Sequence, residues 1–175
     1  TLFFRLMSLN GGELEAGLVA SVGVPPEQRR RGHGRQMMQG LLEELHARKT
    51  PVSLLFPFSV AWYRSLGYGL ANMNWHIEQP LRLLPDFPER LHVRRATPDD
   101  ETALRACHER ARLDLSSNGW LSRTDVEWTR RAFKPENERA LFEIDGQVEG
   151  YLLYRLDWDA IEVIAPGSCS TRISR

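Results

Sequence analysis

Apolar and polar positions change their spacing several times along the chain, and each change predicts an element. Phe3 to Leu9 and Leu14 to Val24 read as two strands separated by Asn10-Gly11-Gly12, where glycine supplies the positive φ of a tight hairpin turn. Met37, Met38, Leu41, Leu42 and Leu45 then recur at helical spacing. They predict one apolar face of a helix running from about Gly32 to Lys49. Arg48 and Lys49 suit the negative end of that helix, and Pro51 forbids its continuation. Val52 to Phe56 is a short apolar strand. Ser59 can cap a helix ending near Gly67, and Tyr68 to Ile77 again reads as a strand.

Pro80, Pro85 and Pro88 interrupt any periodicity between Gln79 and Arg90, which suits a linker. Beyond it the order of elements reverses. Leu91 to Ala96 is a strand, and Thr97-Pro98-Asp99-Asp100 is a helix start with Thr97 as cap and Pro98 in the first position. Ser122 with Asp125 starts a second helix that stops before Pro135. Ala140 to Ile144 and Val148 to Leu156 form a hairpin around Asp145-Gly146. The expected division is residues 1–79, a linker over 80–90, a second unit over 91–165, and a polar tail over 166–175 that is too poor in apolar residues to pack.

Composition places the 175-residue chain among globular proteins, with 42% hydrophobic and 26% charged residues and a mean hydropathy of −0.41. Lys plus Arg and Asp plus Glu are both 23, so the net charge is zero, and no global pull toward nucleic acid or an anionic membrane is expected. Cys107 and Cys169 lack metal-ligand spacing, and His46, His76, His92 and His108 form none either; neither a disulfide nor a metal is expected. No apolar stretch approaches membrane-spanning length, and Thr1 to Phe4 is too short for a signal segment, so the expected setting is cytoplasmic. Cys107, Trp120, Trp128 and Trp158 read as core or interface residues, and Asp99, Asp100 and Glu101 as first-turn acids suited to a helix dipole.

The segment that carries chemistry runs from Val22 to Arg35. A strand ends at Val24, a basic loop containing Gly32 and Gly34 follows, and a helix begins at the loop's end. Such a junction presents unpaired N–H groups at the positive end of a helix dipole, where a doubly charged group is favoured. Gly32 and Gly34 remove side chains that would hold a diphosphate off the backbone, and Arg29, Arg30, Arg31 and Arg35 add positive charge. A dinucleotide fingerprint would place a third glycine at Met37, and a Walker loop would need Gly-Lys-Ser/Thr. What fits is Arg-x-x-Gly-x-Gly at Arg29, Gly32 and Gly34.

That string resembles the coenzyme A signature of the GCN5-related N-acetyltransferases (GNAT). A second string, Tyr63 to Tyr68 in the order Tyr-x-x-x-Gly-aromatic, resembles the same family's closing element. The resemblance implies an α/β (α+β) mixed-sheet GNAT fold with acetyl-coenzyme A as cosubstrate and a small amine as acceptor. It implies that the backbone of Val22, Gly23 and Val24 pairs with the pantetheine arm. It further implies that N–H groups from Arg30 through Arg31, Gly32, His33 and Gly34 to Arg35 hold the pyrophosphate, with Phe58 and Ser59 making further cofactor contacts. Tyr63 is the implied acid toward the leaving thiolate, since a phenol with a pKa of about 10 stays protonated at neutral pH. The wider run Phe56 to Gly69 is similar to the enhanced-intracellular-survival (Eis) type, which carries tandem GNAT domains. This chain then corresponds to the C-terminal half of one GNAT unit and the N-terminal half of a second. Two partial units leave open sheet edges. They can be covered in a homo-oligomer, or closed within a single permuted sheet that pairs Val148–Leu156 with Leu18–Val24. A non-catalytic acyl-coenzyme A binding module is the competing reading, and the acceptor is not specified by fold.

Overall fold

The computed structural model describes residues 1–72, 78–114, 117–157 and 161–168. The chain divides into two compact units, Thr1–Met7 with Leu14–Leu84, and Ser8–Glu13 with Pro85–Arg175.

In the first unit a hairpin is formed by β1 (Leu2–Leu9) and β2 (Gly12–Val19). Its turn places Asn10 and Gly11 at φ 51° and 74°, the consecutive positive values of a primed hairpin turn. Helix α1 (His33–Ala47) follows, then β3 (Val52–Leu55) and α2 (Val60–Arg64). The sheet order is β1-β2-β3, and β3 runs parallel to β2 with Ala16 opposite Val52 and Val19 opposite Leu55. A parallel neighbour needs a crossover, and α1 supplies it. Its apolar face seats Met38 against Val19 and Tyr63, with Leu41, Leu55 and Trp62 packed around them. Helix and sheet approach so closely that a Cβ at Gly17 would run into Leu45.

Two expected strands differ from the structure. β2 stops at Val19 rather than Val24, because Ser21 adopts φ 55° and turns the chain out of the ladder as β3 ends opposite Val19 at Leu55. Val22–Val24 therefore lie outside any strand. Tyr68–Asn72 form no strand, while the rest of that expected element, residues 73–77, lies outside the described residues. Tyr68 is held instead between α2 and β3: its N–H donates to the Tyr63 carbonyl, and its hydroxyl lies 2.6 Å from Ser53 Oγ. The expected linker holds a short 3₁₀ turn over Leu81–Leu83; a second, Pro88–His92, runs past its end at Arg90 and takes Leu91 and His92 out of the strand the sequence predicts from Leu91.

The second unit holds β4 (Val93–Arg95), α3 (Glu101–Leu113), α4 (Asp125–Glu127), β5 (Glu138–Ile144), β6 (Gln147–Leu156) and β7 (Ile161–Ser168). All neighbours in the order β4-β5-β6-β7 are antiparallel. Thr97 stands as the cap the sequence predicts ahead of α3, and Asp100, expected only as a first-turn acid, completes a reciprocal capping box with it. The next helix is capped by Thr124 with Glu127, not by Ser122, and widens into a π-helical turn over Trp128–Ala132. Leu104, Cys107 and Trp128 form a core with Leu141, Val148, Tyr151 and Leu153. Within it His108 Nδ1 lies 2.9 Å from the Tyr151 hydroxyl, which also accepts from Arg123 at 3.2 Å. The hairpin tip belongs to this unit: the Ser8 N–H donates to the Trp120 carbonyl at 2.9 Å, and buried Arg112 pairs with Glu13 and Glu109.

β7 includes Pro166, Gly167 and Ser168, which the sequence assigns to an unstructured tail; residues 169–175 lie outside the described residues. Backbone pairing with Leu152, Tyr151 and Gly150 needs no apolar side chains, and an edge strand tolerates proline. Among the described residues, ladder pairing stays within the two sheets, so Val148–Leu156 does not join Leu18–Val24 in one permuted sheet. No described helix is long and apolar enough to cross a membrane.

Candidate cofactor site

The loop between β2 and α1 is shaped by its own backbone. After Val24 a 3₁₀ turn over Pro26–Gln28 reverses the chain, and Arg29 Nε donates back to the Val24 carbonyl at 3.1 Å. Arg30 and Gly32 both take positive φ, 62° and 86°. Gly32 is the N-cap of α1 and offers no side-chain oxygen to the first turn, and that turn contains no acidic residue. The first internal bond is Gln36 N–H to the Gly32 carbonyl at 3.0 Å. The N–H groups of His33, Gly34 and Arg35 thus lack intrahelical acceptors, and the helix dipole adds positive potential there.

A cleft of about 730 Å³ opens at this point. Val22, Gly23, Val24, Arg29, Arg30, Gly32, His33, Gly34, Arg35, Phe58 and Ser59 line it, so every expected cofactor residue except Arg31 is brought to one place. Arg31 instead lies within 3.4 Å of Gln28 Oε1. Gln28 and Trp62 also line the cleft, and sequence reasoning missed both. Gln28 reads as an ordinary loop residue. Trp62 sits at an apolar helical position, where nothing in the sequence separates a cleft wall from core.

Trp62 changes the reading of one glycine. A Cβ at Gly34 would stand 3.3 Å from Trp62 Cζ2 and 3.7 Å from Val24 Cγ2, so the missing side chain at Gly34 makes room for an indole rather than for a diphosphate. Gly32 has nothing within 4 Å of its Cβ position and stays open.

The second helix is fixed by Ser59, whose Oγ accepts from the Trp62 N–H at 3.3 Å. Phe58 is 70% exposed at the helix entrance, and its ring centroid lies 5.3 Å from those of both Trp62 and Tyr63. Tyr63 does not line the cleft. It is 4% exposed, edge-on to Trp62 at 4.8 Å and to Tyr68 at 5.8 Å. Burial, with a smaller contribution from Tyr68, raises its pKa above the ordinary phenol value. Its proton is therefore held firmly at neutral pH.

With this geometry in view, comparison with known proteins places the fold. Residues 1–71 match the family model described as an acetyltransferase (GNAT) domain. The chain is similar in fold to a GCN5-related N-acetyltransferase from Kribbella flavida, with a TM-score of 0.67 at 22% identity over 97% of this chain and 43% of the other. It is likewise similar to a GCN5-related N-acetyltransferase from Anabaena variabilis, with a TM-score of 0.69 at 17% identity over 97% and 45%. Eis1 from Mycobacterium abscessus gives 0.68 at 20% identity over 97% and 46%. No curated protein matches the chain. The architecture is thus the mixed-sheet GNAT fold, and the domain match falls on the part that holds the cleft. The chain spans less than half the length of each of these solved structures.

Proposed function

We propose that the chain is the acetyl-coenzyme A binding part of an N-acetyltransferase of the Eis type, acting on a primary amine such as an aminoglycoside or a lysine. One observation carries this reading: a single cleft gathers the free N–H groups of α1, an open Gly32, and the arginines at positions 29, 30 and 35. These residues fit a diphosphate, which needs several converging donors, positive charge and no acidic neighbour. Beside them, Val22 and Val24 lie outside any ladder; the Val24 carbonyl accepts from Arg29, and the other backbone groups of this stretch suit the amide-bearing pantetheine arm.

When bound, acetyl-coenzyme A supplies a thioester-activated acetyl group. The N–H groups of His33, Gly34 and Arg35 bind and orient its diphosphate, and Phe58 and Trp62 wall the arm. On this reading Tyr63 gives its hydroxyl proton to the departing sulfur as the amine nitrogen bonds the acetyl carbon and the carbon–sulfur bond breaks, and the proton the amine sheds passes to water, from which the phenol is restored. A second reading, an acyl-coenzyme A binding module without turnover, is favoured by Tyr63 standing behind Phe58 and Trp62 rather than on the cleft wall. Calorimetric titration of acetyl-coenzyme A, followed by thiol release with a panel of amines, tests both. Absence of binding refutes the cofactor site, and binding without amine-dependent thiol release selects the second reading.

A further inference from the structure

We propose that Ser65 is a positioning residue that presets Arg35 for the cofactor's diphosphate; this rests on the cofactor reading above. Arg35 sits in the first turn of α1 and lines the cleft. A long guanidinium on an exposed turn samples many rotamers, and binding through it must first order it. Here that ordering is already present. Arg35 Nη2 donates to Ser65 Oγ at 2.9 Å, and Ser65 Oγ donates onward to the Trp62 carbonyl at 2.7 Å. The hydroxyl is thus held in a fixed direction, with its hydrogen committed to Trp62 and a lone pair aimed at Arg35.

A guanidinium has five N–H donors, and this contact uses one of them. The rest of the planar fork remains for a phosphate, the bidentate pairing that arginine favours. Ser65 does not itself line the cleft, so it acts only through Arg35. Its own backbone is secured independently, because the Ser65 N–H already bonds the Ala61 and Trp62 carbonyls. Removing the hydroxyl therefore releases Arg35 without undoing the end of α2.

The test is a double-mutant cycle on coenzyme A affinity, read by calorimetry on the whole chain with Ser65→Ala, Arg35→Ala, both together, and Ser65→Thr. Ser65→Ala is expected to weaken binding about fivefold, the loss of one positioning hydrogen bond. Its effect should vanish when Arg35 is already alanine, and Ser65→Thr should restore affinity. Unchanged affinity in Ser65→Ala overturns the proposal, as does an equal loss in the Arg35→Ala background, which marks a merely structural role. A wild-type chain that fails to bind coenzyme A removes the cofactor reading itself, and this proposal with it.

Discussion

Gly32 is the position where the cleft reading can be put at greatest risk. Its backbone lies at φ 86° and ψ −9°, and nothing stands within 4 Å of where a Cβ would be. Gly32→Val therefore introduces no clash in the free protein. Its effect on stability comes from holding an L-residue in the left-handed region, about 1–2 kcal/mol, with a β-branched side chain at the upper end. In the bound state the valine also fills the space a diphosphate must enter, and any relaxation of φ turns the N–H groups of α1 away. We expect coenzyme A affinity to fall at least tenfold, which is about 1.4 kcal/mol, by isothermal calorimetry at fixed salt. Asparagine tolerates left-handed φ, so Gly32→Asn separates the two effects: bulk alone weakens it, whereas backbone strain alone spares it. Gly34→Ala is the contrasting case, because its methyl group meets Trp62 at 3.3 Å and the ring must yield by a few tenths of an ångström. Wild-type affinity in Gly32→Val would falsify the cradle, since an open site and a strained loop both demand a loss.

Tyr63→Phe should lower turnover roughly a hundredfold while leaving cofactor affinity nearly intact, measured by thiol release beside calorimetry; undiminished turnover assigns Tyr63 to packing. His108 is buried beside Tyr151, and desolvation, reinforced by Arg123, lowers its pKa to about 4. Because the folded value lies below the ordinary 6.5, the neutral imidazole's contribution is complete above pH 6.5 and is lost as pH falls toward 4. The interval corresponds to about 3 kcal/mol, and the melting temperature should drop across that window in the wild type but much less in His108→Gln. Thr124→Ala removes one half of a capping box and should cost about 1 kcal/mol in denaturant titration; an unchanged midpoint would show that the box adds nothing. Leu153 is fully buried, and Leu153→Ala should cost about 2–5 kcal/mol; a loss under 1 kcal/mol would place it outside the core.

Local chemistry was legible in the sequence wherever a few adjacent residues decide it. The Asn10-Gly11 and Asp145-Gly146 turns, the Thr97 cap, the Ser59 cap and the apolar face of α1 each depend on positions within one or two turns of chain. The order strand, basic glycine loop, helix was readable for the same reason, and with it most of the residues that line the cleft. What the sequence missed depends on partners distant along the chain. Val22 and Val24 have strand-like side chains, yet whether they join a ladder was decided by where β3 ends and by the turn at Ser21. Pro166 to Ser168 lack apolar content, yet they form strand because β6 offers an open edge. Gly34 reads as a gap for a ligand, but the gap is taken by Trp62, 28 positions further on, and only packing of α2 beside α1 determines that. The same packing set Tyr63 behind Phe58 and Trp62, and put Ser65 against Arg35. Residue type and short spacing fixed which groups can bind an anion; the approach of two helices fixed which of them face the cleft, because long-range contacts are made by shape and leave no local pattern in the chain.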